Sequence, residues 1–185
     1  SLYSNWLIGY SSLLGPIAGI MVVDYFVVRK QQYDLPGLYL DNGSHDFLVH
    51  HNVVYRADHA LKMNPPSADN RVYNNTLDGN FGGIEYFLNC DVLGGGDDVK
   101  NNAAYNNTIV LGTESQTYAS SFSSTSSCTS SQVAPYLNGS KNLTFSRNAY
   151  RVPSLSWDRY FGWGGWKYWR EWQALGQDVG SSLTQ

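Results

Sequence analysis

Charge is scarce in this chain. Only 15% of its 185 residues are charged, and 12 basic against 15 acidic side chains leave a formal net charge of -3. No basic run occurs, so the electrostatic footprint that nucleic-acid binding needs is missing. Cysteine is limited to Cys90 and Cys128, too few for a disulfide framework and without metal-ligand spacing. They read as two buried thiols in preference to one bridge. Long hydrophobic runs are absent after Val28, so the strongest hydrophobic segment is residues 5–28.

What the chain does have is 42% hydrophobic residues, enough for one domain with a real core, together with 18 Gly and much Asn and Ser. A loose repeat, apolar-x-x-Asn-x-x-Tyr, runs through residues 39–185. It appears around Asn52, Asn75, Asn102 and Asn148, which are 23, 27 and 46 residues apart. Lys62 and Glu85 repeat the 23-residue spacing inside the short runs Ala60-Leu61-Lys62-Met63 and Ile84-Glu85-Tyr86-Phe87. Short β runs at such a period predict a solenoid of parallel strands, with Asn52 above Asn75 and Lys62 near Glu85. The marker Asn residues are structural in this reading, because Asn tolerates the left-handed corner and its amide can bond the neighbouring turn.

The punctuation fits. Asp41-Asn42-Gly43-Ser44 and Asp78-Gly79-Asn80 read as turns, and Asn64-Pro65-Pro66-Ser67 as a stiff loop. Thr113 to Gln132, rich in Ser and Thr, reads as a long surface excursion. Trp169 to Leu175 reads as a helical cap over the last coil. Five N-x-[ST] triplets occur, at Asn42, Asn74, Asn106, Asn138 and Asn142. They would mark surface positions in a chain that enters a eukaryotic secretory route.

The N-terminal part obeys another solvent. Trp6 to Val23 is an uncharged stretch of 18 residues interrupted by Gly15-Pro16, followed by Arg29-Lys30 where the positive-inside rule places a cytoplasmic end. Residues 5–39, through Asn5-Trp6-Leu7, the run Leu14-Gly15-Pro16-Ile17-Ala18-Gly19-Ile20-Met21, Asp24-Tyr25-Phe26, Arg29-Lys30 and Leu35-Pro36-Gly37-Leu38-Tyr39, resemble the nucleobase and allantoin cation symporters. That resemblance implies a late transmembrane helix and its following loop. Residues 40–178 resemble right-handed parallel β-helix proteins of the pectate-lyase-like superfamily, which act on polysaccharides. The residues concerned are Leu40-Asp41-Asn42-Gly43-Ser44, Ala60 to Ser67, and Trp172-Gln173-Ala174-Leu175-Gly176-Gln177-Asp178. The fold expectation is therefore all-β, a right-handed parallel β-helix (solenoid) fragment with an N-terminal hydrophobic helix. Its domains would be 1–38, possible membrane helix, and 39–185, β-helix with a C-terminal aromatic cap.

Hydrolysis of a glycosidic bond needs two carboxylates, about 5–5.5 Å apart for retention or roughly 6.5–9.5 Å for inversion. Asp58, Glu85, Asp97 and Asp98 are the candidate catalytic acids, with solvated turn and ladder roles as the alternative. His59 and Lys62 lie near them as candidate substrate-binding residues. Lys62 and Glu85 would stack as an ion pair if their coils are in register. His50 and His51 point to opposite faces of a strand, poor geometry for one ion. Calcium could draw on Asp78, Glu85 and Asp97 but finds no compact ligand pattern, so neither a metal nor a cofactor is expected. Aromatic rings crowd residues 157–172, and Trp163 and Trp166 are candidates for binding a sugar face, the alternative being burial of the stack's end.

The main functional expectation is a polysaccharide-acting protein, a glycosidase in preference to a lyase or a truncated form of one, extracellular or at the cell surface, with a polysaccharide or oligosaccharide as partner. Two alternatives stand beside it. One is a non-catalytic carbohydrate-binding or structural solenoid. The other is a membrane-anchored fragment or transporter remnant touching the membrane through residues 5–28.

Overall fold

In the computed structural model the chain divides after Leu35 into two units, Ser1–Leu35 and Pro36–Gln185. The structure describes residues 37–41, 43–91, 98–112, 118–156 and 159–185. The expected N-terminal helix lies outside the described residues. Among the described residues no helix is long and apolar enough to cross a membrane.

Short extended runs separated by turn residues build the second unit. In chain order they are β1 (Leu38–Leu40), β2 (Ser44–His45), β3 (Leu48–His50), β4 (Val53–Met63), β5 (Ser67–Ala68), β6 (Arg71–Tyr73), β7 (Thr76–Leu88), β8 (Val99–Lys100), β9 (Ala103–Tyr105), β10 (Thr108–Leu111) and β11 (Tyr118–Ser124). There follow α1 (Ser130–Leu137), β12 (Thr144–Ser146), β13 (Ala149–Arg151), β14 (Phe161–Trp163), β15 (Trp166–Lys167), α2 (Trp169–Ala174) and β16 (Ser182–Thr184). They form a nine-stranded sheet ordered β15-β14-β11-β7-β10-β13-β16 with β4 and β1 joined at β7, a four-stranded sheet β12-β9-β6-β3, and a three-stranded sheet β2-β5-β8.

The large sheet corrects the expected all-β right-handed solenoid. It is mixed, because β14 and β15 pair antiparallel across a tight turn at Gly164 and Gly165, whose φ values of 61° and 122° only glycine adopts readily. It also forks. The first part of β7 pairs with β10 and the second part with β11, while β4 runs along the whole strand with register shifts between Val54 and His59. A strand whose two halves serve different neighbours curls its sheet, and the result is a half-barrel carrying two short helices. The 20 residues from Thr113 to Gln132, expected as an excursion, instead supply β11, which inserts between β7 and β14 with Ser120 and Ser121 buried.

The amide ladder holds the coils in register. Asn52 donates from its backbone N–H and its Nδ2 to Oδ1 of Asn75, each at 3.0 Å. Asn75 repeats this with Asn107, and Asn107 with Asn148. Asn75, Asn107 and Asn148 thus each satisfy the backbone N–H of the preceding ladder Asn, which is buried at Asn75 and Asn107 and part-buried at Asn52. Asn52 over Asn75 and Lys62 opposite Glu85 occur as the 23-residue spacing predicts. Asn102 does not belong to this ladder. It continues a second one from Asn70, and Asn107 takes the place expected for it. The ladder ends on Asp178, fully buried, which accepts from Asn148 Nδ2, Ser181 Oγ, Tyr150 Oη and Trp172 Nε1. Burial pushes its carboxyl above the ordinary range, against the pull of those four donors.

Leu61, Met63, Val72, Leu77, Ile84, Tyr86, Ile109, Phe145, Tyr150 and Phe161 fill the interior, and Trp172 of α2 closes one end of it. Cys90 and Cys128 form a disulfide, not the pair of thiols expected; it ties the chain after β7 to the residues leading into α1.

Candidate functional site

Parallel strands at one level form rows. Lys62 opposes Glu85, Glu85 opposes Ser121, Ser121 opposes Gly162 and Gly162 opposes Trp166. Three residues earlier His59 opposes Gly82, and Gly82 opposes Tyr118. Leu61, Met63, Ile84 and Tyr86 face the core, so the intervening Lys62 and Glu85 lie on the other face of the sheet.

Glu85 is the centre of the group. Its Oε1 accepts a hydrogen bond from Ser123 Oγ. Its Oε2 lies 3.2 Å from Lys62 Nζ and 3.7 Å from His59 Nε2. Oε2 is shielded from solvent and accepts no well-directed hydrogen bond, so its link to Lys62 is ionic only. The Lys62 ammonium also sits 3.9 Å above the Phe87 ring, a cation–π contact. With side-chain exposures of 17% and 13% for Lys62 and Glu85, removing either leaves a largely desolvated charge behind.

Beside this group Tyr118 stacks on Trp166, ring centroids 4.0 Å apart. Gly162 permits the approach, since a Cβ there would come within 2.7 Å of the Tyr118 ring. Burial, and then the charge of Glu85, raise the Tyr118 hydroxyl above its ordinary pKa. A cleft of about 280 Å³ opens alongside, lined by Tyr118, Phe122, Ser123, Ser124, Val133, Gly162, Gly164 and Gly165.

The remaining candidates are placed elsewhere. Asp58 is half-buried in β4. Asp97 lies outside the described residues. Asp98 stands before β8 in the three-stranded sheet, where it accepts from Lys141 Nζ and Tyr136 Oη, both at 2.8 Å, with Lys100 Nζ at 3.8 Å. Burial opposes its ionisation, but those hydrogen bonds and ammonium charges outweigh burial and hold its carboxyl below the ordinary range. Among the described residues neither Asp58 nor Asp98 is a partner of Glu85. The Trp163 ring is buried against Phe122 and Trp172, with Nε1 donating to the Leu137 carbonyl, while Trp166 is half-buried. Among the described residues no group of three or more His, Cys, Asp or Glu side chains could hold a metal.

Sequence reasoning brought Lys62, Glu85 and His59 together but missed Tyr118, Ser123 and Gly162. The signal for β11 was weak: Tyr118 and Phe122 stand alone in a run of Ala and Ser, and small residues alternate too faintly to mark a strand.

No family-level sequence profile matches the chain, and no solved structure matches it. Two curated proteins do. The purine-uracil permease NCS1 of Arabidopsis thaliana is 44% identical over 56 residues, which is 29% of this chain and 9% of the permease. The allantoin permease of Bacillus subtilis is 41% identical over 45 residues, 24% of this chain and again 9% of the permease. Part of the chain is thus distantly homologous to nucleobase and allantoin permeases. These matches overturn the expected polysaccharide-acting glycosidase, its glycan partner and its extracellular or cell-surface placement as a carbohydrate enzyme, since both relatives are permeases. The resemblance of residues 40–178 to carbohydrate-active β-helix proteins gains no support from any of the three comparisons.

Proposed function

We propose that this chain is a membrane-associated piece related to the nucleobase and allantoin permeases, in which residues 1–35 provide a membrane-inserting segment and residues 36–185 a separate β unit. The observation that carries the reading is the 44% identity over 56 residues to a purine-uracil permease. The uncharged run from Trp6 to Val23 supports it, because a largely apolar stretch of 18 residues approaches the length that spans a hydrocarbon core. Secondary transporters build their sites between several helices at the bilayer midplane. A stretch equal to 9% of a permease supplies too few helices for such a site. The reading therefore assigns this chain attachment to a membrane, and a purine- or allantoin-type substrate only to a whole permease containing such a segment.

Alkaline carbonate extraction of membranes carrying the full chain tests this. The full chain is expected to stay with the membrane pellet, and a variant lacking residues 1–35 to pass to the supernatant. Release of the full chain by carbonate would refute the proposal.

A further inference from the structure

The five N-x-[ST] triplets find no role in membrane attachment, and the fold sorts them. Asn74, Asn106, Asn138 and Asn142, the four within the described residues, are all exposed. Among the described residues the five buried asparagines, Asn70, Asn75, Asn102, Asn107 and Asn148, are none of them the acceptor Asn of such a triplet. The separation is sharpest where two Asn are adjacent. In Asn74-Asn75-Thr76 and Asn106-Asn107-Thr108 the first Asn carries the triplet and faces solvent, while the second is a rung of the amide ladder. Asn74 and Asn106 have φ values of 55° and Asn142 of 51°, left-handed corners that turn the side chain away from the core. Asn138 closes the C-terminal end of α1, where its Oδ1 accepts from the N–H and Oγ of Ser140, the third member of its own triplet.

A second, independent observation is the disulfide between Cys90 and Cys128, with no free cysteine among the described residues. Such bonds persist in oxidising compartments and are rare in the cytosol. Arg29 and Lys30 argue for keeping the β unit on the cytosolic side. The positive-inside bias governs short loops, however, and a domain as long as residues 36–185 translocates largely regardless of it.

We infer that the β unit matures on the non-cytosolic side of its membrane and is N-glycosylated at Asn138 and Asn142 and at the corner formed by Asn74 and Asn106. The donor is a polyprenyl-pyrophosphate-linked oligosaccharide. The Asn Nδ2 bonds to the sugar C1 and loses one proton, the C1–O bond to phosphate breaks, and the lipid pyrophosphate leaves, with no oxidation or reduction. Tyr73 pairs with Tyr105 in neighbouring strands, so Asn74 and Asn106 sit at the corners directly after adjacent strands that lie about 4.8 Å apart. Two glycans at that spacing crowd each other, and the corner carries one fully occupied site.

Translation of the full chain in the presence of endoplasmic-reticulum microsomes, followed by endoglycosidase treatment and peptide mass spectrometry, tests this. Three glycan additions are expected, at Asn138, at Asn142 and at one of Asn74 or Asn106. Asn138→Gln and Asn142→Gln should each remove one addition, and Asn74→Gln should move occupancy to Asn106. Absence of any endoglycosidase-sensitive shift, where a secretory control is modified in the same reaction, would overturn the inference. So would alkylation of both cysteines without a reductant. Carbonate extraction of the same microsomes reads the membrane attachment separately, so failure of either proposal is distinguishable from failure of the other.

Discussion

Replacing Asn75 by Ala removes the most connected rung of the amide ladder. Its Oδ1 accepts from Asn52 N and Nδ2, both at 3.0 Å, and its Nδ2 donates to Asn107 Oδ1 at 2.9 Å, Val49 O at 2.9 Å and Tyr73 O at 3.1 Å. The backbone bond from Asn75 N to Asn107 Oδ1 survives. Five side-chain bonds are lost, each worth a net ~1 kcal/mol, but water reaches the Asn52 side, so the expected cost is about 3–4 kcal/mol. Asn52→Ala removes two donors from a half-exposed site, and should cost only about 1 kcal/mol. Asn75→Asp is the sharper variant, since it keeps the acceptor and turns the donor into a carboxylate oxygen facing three carbonyl oxygens. That carboxyl must have a raised pKa in the folded state, so the deficit of Asn75→Asp relative to the parent should shrink as pH falls through it. Urea unfolding of the full chain, followed by circular dichroism and tryptophan fluorescence, gives the free energies. A loss below about 1 kcal/mol for Asn75→Ala, or equal losses for Asn52→Ala and Asn75→Ala, would show that strand pairing holds the register without the ladder.

Three more perturbations probe other parts of the same geometry. Reduction of the disulfide, which closes a separation of 38 residues, should lower stability by about 4 kcal/mol on the chain-entropy account, and an unchanged urea midpoint with dithiothreitol would contradict it. The lowered pKa of Asp98 means that its contribution is present above the ordinary carboxylate value of 3.8 and is lost as pH falls through the folded value. The raised pKa of Asp178 acts with the opposite sign, its contribution being lost as pH rises from 3.8 through its folded value. Asp98→Asn should therefore flatten the acid limb of a Tm against pH curve, and an unaltered limb would count against the Lys141 and Tyr136 contacts. Gly83→Ala places a Cβ 2.2 Å from the Ala119 carbonyl oxygen, whereas one at Gly139 meets nothing within 4 Å. The first should cost at least about 1–3 kcal/mol and more than Gly139→Ala, whose cost is only the positive φ of 83°, as thermal unfolding would show.

The uncharged, largely apolar character of residues 6–23 is a property of composition alone and is read without any fold. The register of β4 on β7 was equally legible, because a fixed spacing of 23 residues from Lys62 to Glu85 and from Asn52 to Asn75 places equivalent residues on adjacent strands. After Asn75 the spacing fails. Asn107 and Asn148 follow at separations of 32 and 41 residues, since chain is added between strands, and an insertion erases periodicity while leaving the pairing intact. Only the tertiary structure could therefore exchange Asn102 for Asn107, or seat the weakly patterned Tyr118–Ser124 between two strong strands. It also decided the sheet's form. Whether parallel strands close into a stack or curl into a forked half-barrel depends on which neighbour each half of β7 meets, and on the antiparallel β14–β15 turn. Those are pairings between residues far apart in the chain, which a local pattern does not encode. The disulfide is of the same kind: two cysteines 38 residues apart carry no spacing signal, and the parallel seating of β11 on β7 is what brings the chain segments that bear them together.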